Sequence, residues 1–238
     1  MSVLQVQNVV KFFGNLRAVD DVSFALEHGD NLAIIGESGC GKTTLAKMIM
    51  GLTIPDTGFV KSEANNLQMV FQDPNGSLDP LWNVREILKE ALWRDHFLTA
   101  RQVQERLEGM LLAVGLSPCV LQRFPHEFSG GERQRIAIAR ALLASCKVLV
   151  LDEAVSALDT LVQKQIIDLL KKLKQDFNLT YIFISHNLRL VRNFSDKIIV
   201  MYQGKIVEQG RTQAVLQSPS HPYTQQLLEA AFYPKEKL

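Results

Sequence analysis

The chain has 238 residues, 47% of them hydrophobic and 21% charged, with a formal net charge of +1. That length suits one large or two small domains with an ample core, and near-neutral charge without a long basic block argues against a nucleic-acid partner. No apolar run approaches the roughly 20 residues of a spanning helix, the start lacks a secretory layout, and Cys40, Cys119 and Cys146 have neither disulfide-framework nor metal-ligand spacing, so a cytosolic chain with reduced thiols is expected.

Leu4-Gln5-Val6-Gln7-Asn8-Val9 and Val22-Ser23-Phe24-Ala25-Leu26 alternate apolar and polar residues, which predicts two half-buried strands of an antiparallel β layer. Between them Phe12-Phe13-Gly14-Asn15 predicts a turn that carries aromatics. Either both rings belong to the core, or Phe13 offers a face on which a purine stacks, worth about 1–3 kcal/mol by analogy with base stacking.

Leu32-Ala33-Ile34-Ile35 reads as a buried strand that runs into Gly36-Glu37-Ser38-Gly39-Cys40-Gly41-Lys42-Thr43-Thr44, and a helix follows until Gly51. This is G-x-x-x-x-G-K-[ST], and the strand before it and the helix after it set it apart from an accidental glycine-rich turn. Glycines let the backbone curl until successive N–H groups point inward, and the positive end of the helix adds to the anion site. Lys42 then reaches the β- and γ-phosphates of a nucleoside triphosphate and Thr43 offers its hydroxyl to Mg²⁺.

Pro55-Asp56-Thr57-Gly58 predicts a turn, and Leu67-Gln68-Met69-Val70-Phe71 a strand ending at Gln72. Gln72 is either a solvated side chain or, at the edge of a phosphate site, a group that orients water and touches a metal. Helices are expected over 84–97 and 102–114, the second with Val103, Leu107, Met110, Leu111 and Val114 on one face. They form a compact insertion between Gln72 and Phe128.

Phe128-Ser129-Gly130-Gly131-Glu132 precedes the helical Ile136 to Leu142 and is read as a capped helix start or as a second anion site. Lys147 to Glu153 is an apolar strand of the kind buried in a parallel sheet, ending in two carboxylates where α/β folds place their ligands. There Asp152 holds magnesium through water and Glu153 takes a proton from attacking water. A helix follows with Val162, Ile166, Leu169, Leu170, Leu173 and Phe177 on one face and Lys164, Lys171 and Lys174 on the other. Thr180 to Ser185 is a further buried strand, and His186 at its end is either structural or a donor to a γ-phosphate. A hairpin over 197–202 and 205–209, a short helix from Arg211 and a last helix from His221-Pro222-Tyr223-Thr224 complete the chain.

In this order the segments resemble the ATP-binding subunit of ABC transporters over almost the whole chain. The matching motifs are Gly36 to Thr43 as phosphate loop, Gln72 as Q-loop, Ser129-Gly130-Gly131-Glu132 as signature, Leu149 to Glu153 as carboxylate strand, Ser156-Ala157-Leu158-Asp159 as D-loop and His186 as switch histidine. Two departures are Glu132, where glutamine is commonest, and Phe128 in place of leucine. Val70 to Pro80, Phe124-Pro125-His126-Glu127-Phe128 and His221-Pro222-Tyr223-Thr224 resemble the oligopeptide, dipeptide and nickel import branch, although the segment between Gly51 and Gln72 is shorter than usual there.

The resemblance implies an α/β fold: a P-loop NTPase (RecA-like) core with an antiparallel β layer and a helical insertion, one domain over 1–238. Residues 1–72 and 146–238 would form the nucleotide core, and 73–145 the helical subdomain. It implies an ATPase that uses ATP and Mg²⁺, with Phe13, Gly36 to Thr44 and Ser129 to Glu132 on the nucleotide. Thr43, Gln72 and Asp152 would serve the metal, and Glu153, His186 and Gln72 catalysis. The implied partners are a second ATPase subunit paired head to tail, two transmembrane permease subunits and, indirectly, an extracytoplasmic solute-binding protein. The subunit would sit peripherally on the cytoplasmic face of the membrane and drive uptake of peptides, nickel or metal–chelator complexes. The alternatives are an exporter subunit and a soluble ABC-type ATPase; the first is opposed by the peptide-branch loop, and the second would usually carry two cassettes or a coiled-coil insert.

Overall fold

The structure, a computed structural model, describes residues 2–64, 66–71, 76–95 and 97–232. In chain order its elements are β1 (Ser2–Phe13), β2 (Leu16–Glu27), β3 (Asn31–Ile35), α1 (Lys42–Ile49), β4 (Thr57–Ser62), β5 (Leu67–Val70), α2 (Val84–Glu90), α3 (Ala100–Ala113), α4 (Gly130–Leu143), β6 (Val148–Asp152), α5 (Thr160–Phe177), β7 (Thr180–Ile184), α6 (Leu188–Phe194), β8 (Lys197–Tyr202), β9 (Lys205–Arg211), α7 (Thr212–Gln217) and α8 (Pro222–Phe232). They fall into two compact units, Met1–Asn65 with Thr180–Leu238, and Asn66–Leu179. All helices of the expected 73–145 insertion lie in the second unit, which also holds β5, β6 and α5.

In the first unit β1 pairs antiparallel with β2 and β4, burying Val3, Leu4, Val6, Val9, Val19, Val22 and Leu26. Bulges carry these strands past the lengths expected from alternation alone. Asn8 (φ 48°) and Asp21 (φ 53°) adopt the left-handed backbone that Asn and Asp tolerate, and the Asn8 amide donates to Asp21 Oδ1 at 2.9 Å. Phe12 and Phe13 therefore lie within β1, not in the turn, which shrinks to Gly14-Asn15. With exposures of 44% and 53%, neither ring belongs to the core, so that alternative is ruled out. Asp56 closes this corner, accepting from the Phe12 N–H at 2.6 Å and from Lys11 Nζ at 2.9 Å.

The second layer of this unit runs β7-β3-β8-β9, parallel except for the β8–β9 hairpin. Every residue of β3 and β7 is buried, as continuous apolar runs covered on both faces require. α6 packs on β3, and α7 on β8 and β9.

The second unit pairs β5 with β6 in parallel, Val70 opposite Leu151, and packs α2, α3 and α4 together. Leu107, Met110, Leu111 and Val114 bury the stripe expected on α3, with Val103 half-buried. Capping boxes fix two helix starts, Asn83 with Glu86 and Thr99 with Gln102, each N-cap worth about 1 kcal/mol. α2 stops at Glu90, seven residues short of the expected end, because i→i+3 bonds from Leu92 and Trp93 turn the chain there.

Candidate nucleotide site

The loop between β3 and α1 is built by close approach. A Cβ on Gly36 (φ 149°) would stand 2.2 Å from the Met201 carbonyl oxygen and 2.7 Å from Cys40 Sγ, so only glycine fits. Gly41 at the N-cap of α1 brings no side-chain oxygen to the first-turn N–H groups, the arrangement that suits an anion. Lys42 is only 5% exposed, and its ammonium donates to the Gly36 and Glu37 carbonyls at 2.8 and 2.7 Å. Glu37, Ser38, Gly39 and Thr43 are exposed and Thr44 is half-buried. Burial raises the pKa of Cys40, and neighbouring Lys42 only partly opposes this. Cys40 therefore stays a packed thiol.

Register brings His186 to the same edge. Ile34 of β3 pairs with Ile184 of β7, so Gly36 and His186 each stand two residues beyond a paired position on adjacent parallel strands. His186 is exposed, and Asn187 next to it caps α6 by accepting from the N–H groups of Arg189 and Leu190. The loop has two further holds that sequence reasoning missed: the Gly204 N–H donates to the Cys40 carbonyl at 3.0 Å, and the Glu37 N–H donates to the Tyr223 hydroxyl at 2.9 Å. In the sequence His221-Pro222-Tyr223-Thr224 reads as the start of a last helix, which α8 bears out, and as a peptide-branch motif, but nothing there ties Tyr223 to the phosphate loop. Phe13 stands on β1, which pairs with β2.

The second unit holds the other candidates. Asp152, buried, ends β6, and half-buried Glu153 follows with φ 49°, a left-handed backbone at a non-glycine residue. Its carbonyl accepts from the N–H and the hydroxyl of Ser156, each at 2.9 Å. Asp159 caps α5, and Gln163, which no sequence signal marked, donates to the carbonyls of Val155 and Leu158 at 3.0 Å. The 154–159 turn is thus fixed from both ends. The first turn of α4 lies against this segment: a Cβ on Gly130 would stand 3.2 Å from Leu158 Cδ2, and one on Gly131 would meet Val162 Cγ1 of α5 at 2.6 Å. Gln72, expected at the end of β5, lies outside the described residues.

Ser129 is the N-cap of α4 and forms a capping box with Glu132. Its N–H and hydroxyl donate to Glu132 Oε2 at 2.9 and 2.7 Å, and these bonds hold the Glu132 carboxyl below the usual carboxylate range. A carboxyl depressed in the folded state adds stability above its unfolded pKa and loses it as pH falls through the folded value. Glu132→Gln is therefore expected to melt slightly below the natural chain at pH 7 and together with it well below pH 4.5, as paired thermal melts would record.

A glycine-built loop of the phosphate-binding pattern, with its lysine buried at the start of α1, marks a P-loop nucleotide-binding protein. Residues 19–156 match the ABC transporter family, and residues 207–238 match the oligopeptide/dipeptide transporter C-terminal region. The chain is 43% identical to the oligopeptide transport ATP-binding protein AppF of Bacillus subtilis, over 96% of this chain and 78% of that one. It is 44% identical to OppF of Haemophilus influenzae, over 94% of this chain and 72% of that one. Among solved structures it is similar to cbiO1 of Clostridium perfringens, part of the ABC transporter complex cbiONQ, with a TM-score of 0.82 and 25% identity over 91% of each chain. The chain belongs to the ABC transporter family as an ATP-binding subunit, and its enzymatic activity is ATP hydrolysis.

Proposed function

We propose that this subunit powers the uptake of oligopeptides or dipeptides. The observation that carries the solute class is the match of residues 207–238 to the C-terminal region of peptide transporters; the similarity to AppF and OppF, both oligopeptide transport ATP-binding proteins, supports it. In this reading the chain is one cassette, 1–238, with 73–145 as its helical subdomain. It works peripherally on the cytoplasmic face of a membrane, beside two permease subunits and a solute-binding protein. That no helix among the described residues is long and apolar enough to cross a membrane fits a peripheral subunit.

Gly36 to Thr44 grip the phosphates of ATP, Lys42 neutralises them and Phe13 stacks on the adenine. Thr43, Gln72 and Asp152 are the hard oxygen donors that suit Mg²⁺, which when bound offsets phosphate charge. Glu153 takes the proton of the attacking water and His186 donates to the γ-phosphate. Ser129 to Glu132 of a second copy, paired head to tail, close on the same nucleotide. Catalysis is then chiefly positioning and charge neutralisation.

The permease contact is assigned to the second unit. A groove of about 610 Å³ there is lined by Ser77, Leu78, Pro80, Trp82, Glu90 and Arg140; Arg140 donates to the Ser77 carbonyl beneath it. Trp82 in its lining is exposed, and Leu81, between Pro80 and Trp82 in sequence, is 82% exposed, which adds apolar surface of the kind a partner covers. Reconstituted in vesicles with its permeases, the subunit is expected to hydrolyse ATP faster when the binding protein carries peptide. Stimulation by nickel or a metal–chelator complex and not by peptide would overturn the solute class.

A further inference from the structure

The start of α8 reaches back 186 residues in sequence to the phosphate loop through the bond from the Glu37 N–H to the Tyr223 hydroxyl. That N–H belongs to the same peptide unit as the Gly36 carbonyl, which accepts from Lys42. The N–H and C=O of a trans peptide point to opposite sides, so Lys42 and Tyr223 hold one peptide plane from two directions. Gly36 has no Cβ to restrict rotation about its own ψ, so these two bonds are what orient the plane.

Tyr223 is itself firmly seated. It is buried, its ring centroid lies 4.3 Å from that of Tyr202 on β8, and its N–H donates to His221 Nδ1 at 3.1 Å. Glu208 of β9 accepts from the N–H groups of Ser220 and His221 at 2.9 and 3.1 Å, which pins the entry to the helix. Burial pushes the Tyr223 phenol up from its ordinary value, so it remains a neutral hydroxyl.

We infer that Tyr223 is a positioning residue for the phosphate loop, holding the Gly36–Glu37 peptide in place once Lys42 leaves that carbonyl for the phosphates of ATP. This rests on the reading of Lys42 as a phosphate ligand. It gives the peptide-branch C-terminal segment, residues 207–238, a direct part in nucleotide affinity, since Glu208, His221 and Tyr223 all fall within it.

Tyr223→Phe tests this in the full chain, because it keeps the ring against Tyr202 and removes only the acceptor. The dissociation constant for MgATP should rise about three- to tenfold, the scale of one hydrogen bond. Leu228→Ala, on the same helix, should lower the nucleotide-free melting temperature and leave ATP affinity within about twofold. A merely structural tyrosine would behave like Leu228, with stability moving and affinity fixed. The inference is overturned if Tyr223→Phe binds ATP as the natural chain does, or if both variants weaken binding equally. If the natural chain shows no ATP binding that Lys42→Ala removes, the phosphate-ligand reading itself fails, a result distinct from either.

Discussion

Lys42→Ala is expected to weaken ATP binding at least about a hundredfold while the fold survives. The ammonium of Lys42 is buried and already bonded to two loop carbonyls, so it is held within the loop before nucleotide arrives. Transfer to phosphate exchanges two neutral carbonyl acceptors for anionic oxygens. Hydrogen bonds to charged groups contribute about 1.5–3 kcal/mol each, and two of them account for the hundredfold. In the nucleotide-free chain the substitution strips the Gly36 and Glu37 carbonyls of a donor but also removes a buried charge, terms of opposite sign. Stability should therefore change far less than affinity. Titration with a fluorescent ATP analogue, beside thermal melts, separates the two; affinity within tenfold of the natural chain would remove Lys42 from the site.

The phosphate loop was legible in the sequence because its chemistry tolerates few residue types. Gly36 must lie against Met201 and Cys40 with no Cβ, and such a restriction leaves a pattern. The buried strands β3, β6 and β7 were legible for a related reason, since coverage on both faces demands unbroken apolar runs. β4 was missed because Thr57–Ser62 is mostly exposed and its pairing with β1 comes from tertiary context. α6 was missed because its seven residues are too few to establish a helical period. The clamp on the loop was invisible for a third reason: Tyr223 and Gly204 meet it only once distant segments have packed, and no local pattern records such a meeting.

Glu153→Gln is expected to lower ATP turnover by about a hundredfold or more, the scale of a lost general base, and to leave ATP binding intact. The left-handed backbone of Glu153 (φ 49°) is braced by two bonds from Ser156 to its own carbonyl, and Glu153→Gln leaves both of these in place. Glutamine has nearly the same shape and meets the same backbone cost, of order 1–3 kcal/mol; what changes is the capacity to accept a proton. If the base assignment is right, chemistry stalls while the steps before it proceed. ATP should then accumulate unhydrolysed, and because the second copy is proposed to close on the same nucleotide, a dimer should accumulate with it. Size-exclusion chromatography with ATP and Mg²⁺ should show that dimer for Glu153→Gln and lose it for the Lys42→Ala, Glu153→Gln double variant. Steady hydrolysis by Glu153→Gln would move the base elsewhere. A stalled variant that binds ATP yet stays monomeric would leave the base in place and remove the head-to-tail pairing.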